Sequence, residues 1–257
     1  MFPMAIGIVR NSKIENHKSK ITMNLLLISN STMAGEPYLE YSKDEIVKFI
    51  GKCQNIVFIP YAAVTFSFDD YEAKLNRRFK EFGMAVKSIH RFENQAEAIE
   101  TADAIVVGGG NTWNLVRHLH QNGLVEPVRR RVLAGTPYVG WSAGANVACP
   151  TMQTTNDMPV VDPLGFDTFG LVPFQINPHY TDKQIEGHGG ETREERIIEY
   201  LAANPKMRVV GLREGCMLKI SGEHIEYVGK HSLRLFINGR QPIEIEPDDD
   251  FDFLLKF

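Results

Sequence analysis

The pentapeptide Gly140-Trp141-Ser142-Ala143-Gly144 constrains this chain more than any other stretch. It closes the apolar run 137–141 and leads into the small-residue segment 143–148. A Gly-x-Ser-x-Gly set between a strand and a helix is the sequence form of a nucleophile elbow. The turn is so tight that its flanking positions must be small, and it lifts the serine oxygen above the sheet edge. The unpaired N–H groups at the start of the following helix then face that serine and favour negative charge there. The same residues also suit any strand that turns sharply into a helix, so the surrounding sequence has to decide between the two readings.

That sequence alternates short apolar runs with helical patterns over its first two thirds. Strands are expected at residues 25–29, 55–60, 84–89, 104–107 and 137–141, with helices at 41–50, 69–82, 94–101, 111–121 and 125–133. Strands that are apolar on both faces and alternate with helices indicate an α/β fold with a doubly wound, mostly parallel sheet. Residues 149–178 are rich in Pro, Thr, Asn and Asp and lack a period, and a loop of that length inside a domain is usually functional. A helix is expected at 193–203, capped by Thr192 with Glu194 and Glu195 in its first turn. Short strands at 208–212, 217–220, 224–228, 233–236 and 242–245, punctuated by Gly222, Gly229 and Gly239, read as a C-terminal region of antiparallel hairpins. The expectation is a single domain over 23–257. It is preceded by a loosely ordered extension over 1–22, in which Met4 or Met23 is an alternative start.

Charge and cysteine content remove several function classes. With 28 Lys+Arg against 32 Asp+Glu, the formal net charge of -4 argues against a nucleic-acid binder. No apolar run is long enough to cross a membrane, and the first residues lack the pattern of a signal peptide. Cys53, Cys149 and Cys216 are scattered, odd in number and without metal-ligand spacing, which points to a reducing, cytoplasmic setting. Cys149 reads as a small buried apolar residue rather than a nucleophile.

A serine nucleophile needs a base, and the base needs an orienting acid. His179 stands out in Gln175-Ile176-Asn177-Pro178-His179 at the exit of the long loop, with His188 as its rival. His17, His90, His118, His120, His224 and His231 read as surface or solvated residues. Asp157, in Thr154-Thr155-Asn156-Asp157-Met158-Pro159, is the leading acid, with Asp162 and Asp167 as alternatives, although an aspartate near proline is also a common turn residue. Gly108-Gly109-Gly110 opens a helix without matching a nucleotide-binding pattern. It is either an anion cradle or the second half of an oxyanion hole, with the N–H groups of Gly110 and Ala143 converging on one oxygen; such donors are worth about 3 to 4 kcal/mol each. Arg193 starts a helix, where a cation is disfavoured by the dipole, so it has a task such as gripping a carboxylate.

Taken together, Gly108-Gly109-Gly110-Asn111-Thr112, Gly140-Trp141-Ser142-Ala143-Gly144-Ala145-Asn146, Thr154-Thr155-Asn156-Asp157-Met158-Pro159, Ile176-Asn177-Pro178-His179 and Gly190-Glu191-Thr192-Arg193-Glu194-Glu195-Arg196 resemble the peptidase E family of alpha-aspartyl dipeptidases. The resemblance runs over roughly residues 23–220 and in the family's order. It implies a flavodoxin-like sheet, similar to class I glutamine amidotransferases, with serine in place of cysteine. It also implies Ser142 as nucleophile, His179 as base and Asp157 as third member of the triad. Glu214, in Gly211-Leu212-Arg213-Glu214-Gly215, is the secondary candidate for that third place. The implied activity is hydrolysis of small peptides with an N-terminal aspartate, in the cytoplasm, without a metal or other cofactor, by a monomer or homodimer that engages neither nucleic acid nor membrane. Arg193 would take the aspartyl side chain, Asn111 and Thr155 would add hydrogen bonds, and Glu214 would meet the free amine. Cyanophycinase, which acts on a beta-aspartyl backbone, is the nearest alternative, and a non-catalytic binder of small anions or nucleotides is the alternative of a different class.

Overall fold

In the computed structural model, which describes residues 23–183, 187 and 189–256, Leu25 to Ile28 are fully buried. The expected extension over 1–22, and His188, lie outside the described residues. Burial on both faces puts strand β1 (Asn24–Ile28) inside a sheet. One neighbour is the parallel β5 (Tyr138–Trp141) and the other is the antiparallel β8 (Met217–Ser221). Beyond β5 follow β4 (Ala104–Val107), β2 (Ile56–Ile59) and β3 (Lys87–Ser88), all parallel, and beyond β8 lies the antiparallel β9 (His224–Val228). The strand order is β3-β2-β4-β5-β1-β8-β9, a mixed sheet with a parallel majority.

Side chains alternate across this sheet, as the pleat requires. Leu26, Ile28, Phe58, Val106 and Val139 face one layer, formed by α1 (Lys43–Ile50) and α2 (Phe68–Glu81) through Ile46, Ile50, Tyr71, Leu75 and Phe79. Leu25, Leu27, Val57, Ile105 and Val107 face the other, formed by α3 (Gln95–Glu100), α4 (Thr112–Gln121) and α5 (Val125–Leu133). The spacing Tyr71, Leu75, Phe79 is one helical stripe, and Ser67 caps α2 by accepting the Asp70 N–H at 3.0 Å.

Four further strands make a second sheet in the order β11-β10-β7-β6. These are β6 (Gln175–Tyr180), β7 (Arg208–Arg213), β10 (Leu233–Ile237) and β11 (Ile243–Ile245). Helix α7 (Arg193–Ala203) covers it with Ile197 and Leu201, starting from a capping box between Thr192 and Glu195. Ile176, Val210, Leu212 and Leu235 of this sheet share one apolar cluster with Leu25 and Val107 of the first.

Two expectations are corrected here and a third is refined. The third strand is not 84–89 but two residues, because Asn76 of α2 takes both backbone groups of Val86 at 2.9 and 3.0 Å and Met84 N–H bonds to Phe79. His179 does not leave a loop but sits on β6, whose Pro178 is tolerated because β6 is an edge strand. The expected C-terminal strands do pair with one another antiparallel, β8 with β9, β10 with β11 and β7 with β10, but they divide between two sheets: β8 and β9 extend the first, while β7, β10 and β11 belong to the second.

The second sheet is tied by charge. Arg213 donates to Glu244 at 2.8 and 3.0 Å and to Asp182 at 3.0 Å, while Arg234 joins Glu244 to Glu194 at 2.6 and 2.7 Å. Burial alone would raise the Glu244 carboxyl, but the bonds from Arg213, Ser232 and Arg234 outweigh it and hold the pKa at about 2. Its contribution to stability is therefore complete above its ordinary value of 4.5 and is lost as pH falls towards about 2. Glu244→Gln should flatten the decline of stability across that window in urea unfolding followed at a series of pH values. An unchanged slope in the variant would count against this role.

Candidate active site

Ser142 stands between β5 and the short helix α6 (Ala143–Asn146), with φ 53° and ψ −112°. A non-glycine residue there is strained and persists only where its surroundings over-determine it. The glycines on either side supply that constraint. A Cβ on Gly144 would lie 2.2 Å from the Val107 carbonyl oxygen, and one on Gly140 would lie 2.3 Å from that of Gly144. Helix α6 thus seats directly on β4 and β5, and the serine is pushed outward. Below it Trp141 is fully buried, stacked on Phe58, with its indole N–H donating to the Tyr71 hydroxyl at 3.3 Å.

His179 reaches this serine from the second sheet. It lies where the β6 register shifts between Pro178 and Tyr180, and its own φ is 53°. Its Nε2 is 2.9 Å from Ser142 Oγ, and its Nδ1 is 2.7 Å from Glu214 Oε1. With the Nδ1 proton directed at the carboxylate, Nε2 is left to accept the serine hydroxyl proton. An imidazole so placed can deprotonate the serine during attack and return the proton to a leaving group.

The acid at the imidazole is Glu214, not Asp157. Glu214 follows β7, which runs parallel to β6, so the end of β7 lies beside the histidine. Asp157 is drawn elsewhere: its Oδ2 accepts Thr112 N–H at 2.7 Å, Thr112 Oγ1–H at 2.6 Å and Thr155 Oγ1–H at 3.0 Å. Only a contact between residues distant in sequence separates the two carboxylates, so neighbouring residues carry no signal for the choice. Asp162 and Asp167 are further from the chemistry, engaged with Arg117 and His120 through their carbonyls.

Ser142, Ala143, Thr112, Thr155, Asp157, His179, Arg193 and Glu214 line one cavity of about 820 Å³. Arg193 is half-buried there and donates to the carbonyls of Pro178 and His179. Burial pushes its guanidinium below the usual arginine range, and among the described residues no carboxylate is within ion-pair distance of it. Asn111 is used differently. It caps α4 by accepting Asn114 N–H at 3.1 Å and donates to Met158 O at 2.9 Å. Of the glycine turn, Gly109 packs on Ser142 and Gly110 on the Ala62 carbonyl. His90 is held by Ser88 and Asp69, His118 stacks on Tyr61, His224 pairs with Asp252, and His231 sits at the cavity wall.

Residues 25–228 match the model of peptidase family S51. The chain belongs to that family. It is 48% identical to Peptidase E of a Nostoc species over 92% of this chain and 98% of that protein. It is 44% identical to Peptidase E of Escherichia coli O6:K15:H31 over 89% of this chain and 100% of that protein. The crystal structure of a peptidase from an acI-B1 actinobacterium shares the fold, with a TM-score of 0.64 at 17% identity, over 90% of this chain and 97% of that one. The protein is a serine peptidase, and its substrates are peptides. Among the described residues no helix is long and apolar enough to cross a membrane.

Replacing Glu214 with Gln keeps the shape but removes the charge that fixes the Nδ1–H tautomer. Peptidase kcat should fall by roughly three to four decades. A variant within tenfold of the parent would show that the carboxylate does not serve the imidazole.

Proposed function

We propose that the chain hydrolyses dipeptides with an N-terminal aspartate through an acyl-enzyme on Ser142. The observation that carries this reading is the 2.9 Å contact of Ser142 Oγ with His179 Nε2, backed by Glu214 at 2.7 Å on the other ring nitrogen. His179 removes the serine proton as Oγ attacks the aspartyl carbonyl, and Glu214 stabilises the imidazolium. The N–H groups of Ala143 and of the glycine turn at Gly110 hold the tetrahedral oxyanion. His179 then protonates the leaving amine, and water releases aspartate.

Selection for aspartate falls to Arg193. Its guanidinium is anchored on backbone carbonyls, faces the cavity and is free of a protein carboxylate among the described residues, so a substrate carboxylate completes it. Since Glu214 is engaged by His179, the free amine of the substrate meets Asp157 instead. The hydrogen bonds that Asp157 accepts on its side chain all fall on Oδ2, which leaves Oδ1 for an ammonium. Thr155 holds that carboxylate in place, and Asn111 acts at one remove, by fixing the segment after Asp157.

The finer fold class that fits is flavodoxin-like and class I glutamine amidotransferase-like. In chain order the parallel strands run 3-2-4-5-1; β3-β2-β4-β5 reproduce the first four places of the 2-1-3-4-5 arrangement, and β1, the first strand rather than the last, stands in the fifth. Residues 23–257 act as one peptidase domain, supported by the apolar cluster common to both sheets. The protein works in the cytoplasm as a monomer or homodimer on small Asp-Xaa peptides, without nucleic acid, membrane or cofactor.

Ser142→Ala should lower turnover of Asp-Leu by roughly four to six decades, measured by release of leucine. Near-parental turnover would remove the nucleophile from Ser142. Arg193→Ala should cut kcat/KM for Asp-Leu by at least about a hundredfold and narrow its margin over Asn-Leu, since a site built for a charged group rejects the neutral analogue by leaving its own charge unpaired. Equal discrimination in parent and variant would place aspartate recognition elsewhere. Asp157→Asn should act mainly on KM, and a change confined to kcat would return Asp157 to the proton relay.

A further inference from the structure

The residues that follow β1 make a set of hydrogen bonds that the chemistry above does not use. Ser29 is fully buried, and its N–H donates to Cys216 O at 3.0 Å. Its hydroxyl donates to Leu212 O at 2.8 Å and accepts the backbone N–H of His179 at 3.0 Å. Asn30 is equally buried. Its Oδ1 accepts Gly215 N–H at 2.9 Å and the Tyr41 hydroxyl at 2.6 Å, while its Nδ2 donates to Thr32 O at 2.9 Å. Burial raises the Tyr41 hydroxyl, which keeps it a donor.

These bonds have a common geometry. Leu212 and Gly215 bracket Glu214, and the third partner is the amide of His179 itself. The histidine lies at a register shift with a left-handed backbone, and its N–H turns to the side-chain oxygen of Ser29, just past the end of β1. Two consecutive residues at the end of β1 therefore grip both the strand that carries the imidazole and the turn that carries the carboxylate. An apolar residue at 29 would leave the His179 N–H and the Leu212 carbonyl without that partner in a buried place, and buried orphans of this kind are avoided. Neither Ser29 nor Asn30 lines the cavity.

We propose that Ser29 and Asn30 are positioning residues for the acid–base pair, fixing the separation of the His179 ring from the Glu214 carboxylate and from Ser142. The inference rests on the reading of Ser142 and His179 as the reacting pair. Buried hydrogen bonds to backbone from residues directly at the end of the central strand β1 hold that pair in place, and small misplacements at such a site are costly.

The test compares Ser29→Ala, Ser29→Thr and Asn30→Ala with the parent. The readouts are kcat and KM for Asp-Leu across pH, the rate of Ser142 modification by a fluorophosphonate, and the downfield NMR proton of the His179–Glu214 bond. Ser29→Ala should lower kcat and the modification rate by roughly 10- to 100-fold, with KM within about twofold. It should also displace the pH–rate profile and broaden the downfield proton. Ser29→Thr, which keeps the hydroxyl, should recover most of the loss. Asn30→Ala should act in the same direction, and it carries the test if Ser29→Ala does not fold. Parental kcat and pH profile in the alanine variants, or equal losses in Ser29→Thr and Ser29→Ala, would overturn the proposal. A parent that ignores the fluorophosphonate would instead strike at Ser142 as nucleophile, so the two failures are separable.

Discussion

The Val107 carbonyl occupies the place where any side chain on Gly144 would begin, and the site follows from that contact. Because helix α6 can come this close, the chain must reverse within one residue, and that residue is forced to a positive φ with its side chain directed outward. The strain at Ser142 is held by packing that extends through Trp141 and Phe58 into the sheet. A close-packed core does not yield gradually, so the backbone that carries the hydroxyl is held firmly. Strain at a functional residue is held in this way by rigid surroundings rather than by the residue itself.

That fixed hydroxyl needs a partner fixed to the same standard, and the partner belongs to another sheet. The shared apolar cluster brings the two sheets together, but apolar contact is non-directional and does not set a hydrogen-bond distance. Direction comes from polar groups at the seam. Ser29 and Asn30 hold β6 and the turn after β7 from one side, while Asn156 and Arg193 hold the Pro178 and His179 carbonyls from the other. The parallel pairing of β6 with β7 then lets a residue after one strand meet a residue near the end of the other.

The sequence disclosed the parts whose cause is local. The Gly-x-Ser-x-Gly spacing states the elbow because the steric demand falls on residues two apart. The central strands declared themselves because both their faces are buried. Asn177-Pro178-His179 drew notice by composition, yet Pro178 also masked β6 as a loop, since nothing in the sequence marks a strand as an edge. Met84 and Val86 carry strand-like residues but spend their backbone on α2, a choice made by Asn76. On sequence Glu214 is only the secondary candidate for the place beside the imidazole, and its precedence over Asp157 there, like the contacts of Ser29 and Asn30, is illegible for one reason. Each depends on residues far apart in the chain, and pattern within a short window cannot register them.

The separation of the two carboxylates also bears on selectivity. Glu214 points at the His179 ring, whereas Asp157 is turned away by three donors converging on a single oxygen. Arg193 stands across the same cavity with one nitrogen committed to backbone carbonyls. A cavity that, among the described residues, holds an uncommitted carboxylate oxygen and an uncommitted guanidinium edge is complementary to a group carrying an ammonium and a carboxylate together. A substrate with both completes both, whereas a substrate with one leaves the other charge desolvated and unpaired, which costs more than the missing bond. Discrimination then arises from what the wrong substrate strands rather than from what the right one gains. It requires the guanidinium to be held before binding, and its anchorage on the His179 carbonyl holds it, so under the proposed reading the arginine facing the substrate would also brace the backbone of the histidine.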